Sequence, residues 1–120
     1  MRKILALLSV LVIVLTVSFP VKAENQSNAI ITANLTFNGI STATCSLDVN
    51  AGNASYPIVA TVTLKHGSTI VKQWLNLTAN GYMSFSDTAN VVYGETYTMQ
   101  ITVAVNGVVY NLADITKTFN

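Results

Sequence analysis

Tyr97-Thr98-Met99-Gln100-Ile101-Thr102-Val103-Ala104-Val105-Asn106-Gly107 is the stretch that decides the fold. Every second residue from Tyr97 to Val105 is apolar and larger than its neighbours, and Thr, Gln and Ala stand between. A period of two sends one set of side chains to a buried face of a pleated strand and the other set toward water. Asn106-Gly107 follows, two residues that tolerate positive φ and so close a tight hairpin. Val108 to Phe119 returns as a last strand, weakened around Ala113 and Asp114.

The same beat runs backwards through the chain. Ile31, Ala33, Leu35 and Phe37 alternate with polar residues up to Asn38-Gly39, a second hairpin signal. Ala43, Cys45, Leu47 and Val49 form the inward face of the returning strand, and Asn50 to Pro57 is a loop. Ile58, Ala60, Val62 and Leu64 mark a third strand, turned at His66-Gly67-Ser68. The fourth, Thr69 to Leu77, has two apolar faces: Val71, Leu75 and Leu77 compete with Ile70 and Trp74. Asn80-Gly81 turns the chain into a short fifth strand, Tyr82 to Ser86, with Met83 and Phe85 inward. Asp87 to Gly94 then crosses to the next sheet. Helix propensity is poor throughout, because Thr, Val, Ile and Asn dominate. Seven short strands at intervals of roughly 8–14 residues predict an all-β fold, a two-sheet antiparallel sandwich.

The first 23 residues follow another logic. Arg2 and Lys3 precede an uncharged run from Ile4 to Phe19, Pro20 breaks it, and Val21-Lys22-Ala23 puts compact residues where a signal peptidase cuts. The run falls short of the roughly 20 apolar residues of a permanent span. The expectation is a signal-peptide helix in residues 1–23, cleaved between Ala23 and Glu24, and one secreted domain in residues 24–120.

After Ala23 there remain Lys65, Lys72 and Lys117 against Glu24, Asp48, Asp87, Glu95 and Asp114, and no arginine. Three scattered lysines cannot neutralise a run of phosphates, which argues against nucleic acid and against anionic membrane surfaces as partners. Cys45 is the single cysteine, so no internal disulfide staples the domain. On an inward strand position, flanked by Thr44 and Ser46, it is expected to be a small buried hydrophobe.

Val92-Tyr93-Gly94-Glu95-Thr96-Tyr97, followed by the alternating strand, resembles the sixth strand of fibronectin type III and immunoglobulin-like domains. The resemblance implies a seven-stranded immunoglobulin-like sandwich in which Tyr97 is the corner tyrosine, its ring in the core and its hydroxyl bonded to upstream backbone. The domain also resembles small secreted immunoglobulin-like proteins of Firmicutes, with Cys45 in the second strand, Trp74 after the third, and Gly94 and Tyr97 at the corner. It departs from antibody domains: Met99 stands where a second cysteine would, and the Trp comes one strand late. Such likeness concerns fold and says little about activity.

No catalytic, cofactor or metal constellation is expected. His66, the only histidine, sits at a turn, and the acids are dispersed, one to a loop or outward strand position. Asp48, Asn50 and Asn53 come nearest to a calcium site and lack a calcium loop's spacing. Asn25, Asn34, Asn53 and Asn76 begin N-x-[ST] sequons, expected by chance in so Asn- and Thr-rich a chain. Trp74, Tyr82, Tyr93 and Tyr110 are the plausible recognition residues. The candidate partner-binding patch is the open edge of Trp74 together with Ile70, with the Val71 and Leu75 side facing the core. The expected function is non-enzymatic binding of an extracellular or cell-surface protein or glycan. The alternatives are a surface-layer or pilus-type subunit pairing through a sheet edge, and a secreted protease inhibitor using loops at one end.

Overall fold

The computed structural model describes residues 29–120, and the expected signal-peptide helix and cleavage site lie outside them. Eight strands follow in chain order: β1 (Ile30–Asn38), β2 (Thr42–Asn50), β3 (Pro57–His66), β4 (Thr69–Asn80), β5 (Tyr82–Asn90), β6 (Thr96–Val105), β7 (Val108–Asn111) and β8 (Ile115–Thr118). One sheet has the order β1-β2-β5. The other runs β4-β3-β6-β7, with β8 also on β6, and every pairing is antiparallel. The count is eight and not seven because the last strand breaks at Leu112, Ala113 and Asp114, where the Leu112 amide bonds Ile101 O and the chain rejoins β6 four residues further on.

The two sheets face each other across an apolar core. Leu35, Cys45, Leu47, Val49, Ile58, Val62, Leu64, Met99, Val103 and Val105 are all fully enclosed. Their alternate neighbours on β2, β3 and β6 are mostly Thr, Ser and Gln. Burial of this many aliphatic side chains, each contributing about 1.5–3 kcal/mol, holds the domain together without a disulfide.

The turns differ in kind. Asn106 (φ 50°) and Gly107 (φ 83°) form the two-residue turn, between the paired Val105 and Val108. Asn38-Gly39 does not: Asn38 still pairs with Thr42, so the loop has three residues and Ile40 is thrust out, 80% exposed. Gly81 (φ 78°) carries the chain from one sheet to the other. A Cβ there would stand 2.8 Å from Ala54 Cα. That close approach lets the Gly81 amide bond Tyr56 O while Gly81 O accepts from the Ala51 amide, tying the β2–β3 loop to the crossing.

Strand β5 runs four residues past Ser86, to Asn90. Asp87 therefore lies within a strand and not in a crossing. Its register partner is the enclosed Cys45, so the carboxylate points between the sheets.

Candidate functional site

Strand β4 settles where Trp74 and Ile70 stand. Two register shifts interrupt its pairing with β3, one between Ala60 and Val62 and one between Leu64 and Lys65. Each inserts an extra residue on β4 and inverts the alternation beyond it. Asn76 is one insertion, at φ 55°, and Val71 the other. Ile70 pairs with Lys65 on the outer face and is half-exposed; Trp74 pairs with the enclosed Val62 and turns inward. The structure thus separates the two residues of the candidate patch. It also places Leu75 outward, 60% exposed, against the expectation of a core-facing Val71 and Leu75 side. Val71, Trp74, Leu77 and Ala79 are the residues of β4 that pack on the core.

Trp74 sits at the seam between β4 and β5. Its ring meets Phe85 edge-on at 5.4 Å between centroids, and its Nε1–H donates to Asp87 Oδ2 at 2.8 Å. Lys72, paired with the enclosed Leu64, also points inward. Its ammonium lies 5.3 Å from the indole centroid and 3.6 Å from Asp87 Oδ2, and it donates to Thr88 O at 3.0 Å. Its stem runs along the seam and its head reaches the rim. The indole N–H, then the Thr88 amide, hold the Asp87 carboxyl below its ordinary pKa, and Lys72 adds to them. Cys45 behind it is enclosed, and desolvation first, then the Asp87 charge, push its thiol up to about 11. Such a thiol is inert as a nucleophile near neutral pH.

The opposite seam is closed by Lys117. Its register partner on β6 is the buried Tyr97, so its side chain too points between the sheets, and Nζ donates to Leu35 O on β1 at 2.7 Å. Tyr97 itself is almost wholly buried and accepts a hydrogen bond from the Val92 amide at 2.8 Å through its hydroxyl. The upstream backbone bond is present, with the hydroxyl as acceptor.

His66 has a partner that the sequence conceals, since Glu95 lies far along the chain. Nε2 is 3.0 Å from Glu95 Oε1, and the ring is 5.3 Å from that of Tyr97. Both side chains are about half-exposed. The Tyr97 hydroxyl is committed to the Val92 amide.

At the end of the sandwich that carries the C-terminus, three large apolar side chains stand in water: Ile40, Val92 (62% exposed) and Tyr93 (60%). The Val91 amide bonds Ser41 O, so the two loops lie side by side. Tyr93 leans on Phe119, which stacks at 4.6 Å on Phe37. The other end holds an open hollow between Asn50, Asn53, Asn80 and Tyr82. Two of its asparagines serve their own loop: Asn50 Oδ1 accepts from the Gly52 amide, and Asn53 Oδ1 from the Ser55 amide and hydroxyl. Asp48 faces outward from β2 and accepts from the Tyr82 hydroxyl at 3.4 Å. Among the described residues no three His, Cys, Asp or Glu side chains converge as metal ligands. No family model matches the chain, and no curated protein matches it.

Proposed function

We propose that this is a secreted, non-enzymatic β-sandwich module of the immunoglobulin-like or fibronectin type III-like kind that works by binding an extracellular or cell-surface protein or glycan. The fold half of this reading is supported by the split of the strands into β1-β2-β5 and β4-β3-β6-β7 and by the Tyr97 hydroxyl bonded to Val92.

The observation that carries the binding half is the cluster of Ile40, Val92 and Tyr93 on adjacent loops at one end. Loops on a rigid sandwich are where recognition is commonly placed. An exposed Tyr is the residue type that contact centres favour. The outer face of the three-stranded sheet is by contrast almost uniformly Ser, Thr and Asn.

The test is binding of the labelled secreted protein to a glycan array and to a panel of immobilised extracellular proteins. Saturable binding that falls at least tenfold in Ile40→Ser/Tyr93→Ser, with the fold intact, supports the reading. Binding that instead follows Ile70→Ser moves the contact surface to the outer face of β4. The absence of saturable binding across both panels refutes the proposal.

A further inference from the structure

We propose that Lys117 guards the edge of β1 that is unpaired among the described residues, and that without its ammonium group a second copy of this chain adds to that edge. Natural edge strands are protected by charge, proline, bulges or brevity, because their unpaired N–H and C=O groups template another strand. Three of the four lateral edges carry such a device themselves. Strand β4 has two bulges and Lys72, β5 has the inward Asp87, and the far edge of the larger sheet is split into two four-residue strands.

Strand β1 has none of these. Its nine residues, Ile-Ile-Thr-Ala-Asn-Leu-Thr-Phe-Asn, include no charge, proline or glycine, and their pairing to β2 is unbroken. Its protection comes from the facing sheet: Lys117 reaches across the seam and takes Leu35 O, in the middle of the strand.

The ladder shows what would be uncovered. In an antiparallel pair, alternate residues turn both backbone groups away from the partner. Since Leu35 O is available to Lys117, Ala33 and Phe37 present their groups on the same free side. Two β1 strands brought together antiparallel about a two-fold axis would satisfy these groups reciprocally, an isologous contact. No charge on either strand opposes the approach. An inward lysine at the mid-point also places a hydrated cation where the incoming strand would have to lie.

The experiment is light scattering on a sizing column, at rising concentration, for the wild type, Lys117→Met, Lys117→Arg and Lys117→Met/Ala33→Pro. The wild type and Lys117→Arg are expected to stay monomeric and Lys117→Met to double in mass. Ala33→Pro removes a donor from the free side without touching the ladder, which is where an edge strand accepts proline, and should return the mass to that of a monomer. A folded Lys117→Met that stays monomeric at the highest concentration overturns the proposal. So does a dimer that survives Ala33→Pro, or a wild type that already pairs through β1. Should Lys117→Met lack native Trp74 fluorescence, the same readings apply to Lys117→Gln, which likewise carries no ammonium group.

Discussion

Replacing Tyr97 by Phe removes one oxygen and leaves the ring. In the native protein that oxygen accepts the Val92 amide at 2.8 Å, while the ring, 3% exposed, packs at 6.1 Å from Phe37 and 5.3 Å from His66. The substitution strands the Val92 N–H. A stranded donor costs about 1–3 kcal/mol, and because the Val92 side chain is exposed, water recovers part of it, which sets the expectation at about 1–2 kcal/mol. For a domain of this size each kcal/mol moves Tm by roughly 4–8 °C, so the midpoint should fall by several degrees. Tyr97→Ala adds loss of the ring and should cost about 3–5 kcal/mol. Tyr82→Phe is the control: Tyr82 is largely exposed and its bond to Asp48 is long, so the change should stay within about 0.5 kcal/mol. Urea denaturation followed by Trp74 fluorescence measures all three. If Tyr97→Phe is as stable as Tyr82→Phe, the hydroxyl bond does not hold the corner.

Gly81→Ala should destabilise by at least about 2 kcal/mol, because a positive φ and a Cβ 2.8 Å from Ala54 backbone act together; Gly94→Ala, with the same strain and open space around it, should cost less, and equal losses would remove the contact argument. Cys45 should react slowly with a thiol reagent in the native state and rapidly in denaturant, and fast native labelling would refute its enclosure. Its thiol is raised from 9.0 to about 11, so above pH 9 the unfolded chain loses the proton first and stability falls as pH rises toward 11. Cys45→Ala should flatten that fall in a pH series of denaturation curves. Asp87, held below its ordinary 3.8, contributes stability that is complete above that value and fades as pH drops through it. Asp87→Asn should abolish the acid-side change in Trp74 emission, and an unchanged titration would deny the Trp74–Asp87 bond.

The strands legible in the sequence are those whose two faces differ and whose pairing is regular. Strand β6 is the clearest, and Tyr97, Met99, Ile101, Val103 and Val105 all point inward as the alternation requires. Strand β4 was ambiguous for a physical reason. Its apolar residues fit no single register, because Val71 and Asn76 are insertions that shift the phase twice within twelve residues. Separating Ile70 from Trp74 needs the partner strand, since only pairing with Lys65 and Val62 tells which way each points. Asp87 was hidden differently. A carboxylate suggests a loop or a wet face, and its inward position is explained by donors from Trp74, Lys72 and the Thr88 backbone, two of them on another strand. Of the exposed cluster only Tyr93 is legible in the sequence, because Ile40 and Val92 lie in segments whose apolar residues carry no period, and the adjacency of the two loops depends on the bond between Val91 and Ser41.

The few charges of the described chain are placed with consequence for how the domain behaves in water. The outer face of the three-stranded sheet carries Asp48 as its one charge, among Thr, Ser and Asn. Hydroxyls and amides keep that face wet without repelling another copy. Charge repulsion therefore does little to keep molecules apart. Three charges sit at the seams, where Lys72, Asp87 and Lys117 lie between the sheets with their heads at the rim. Two of these contacts, Lys72 to Thr88 O and Lys117 to Leu35 O, join a cation to a backbone carbonyl. Added salt weakens attraction between exposed full charges most, so these cation-to-carbonyl bonds should outlast the half-exposed Lys72–Asp87 ion pair as ionic strength rises. The bonds to Thr88 O and Leu35 O are then the salt-tolerant part of the seams. On that argument the monomer should persist in high salt, whereas a domain kept apart by surface charge would begin to associate.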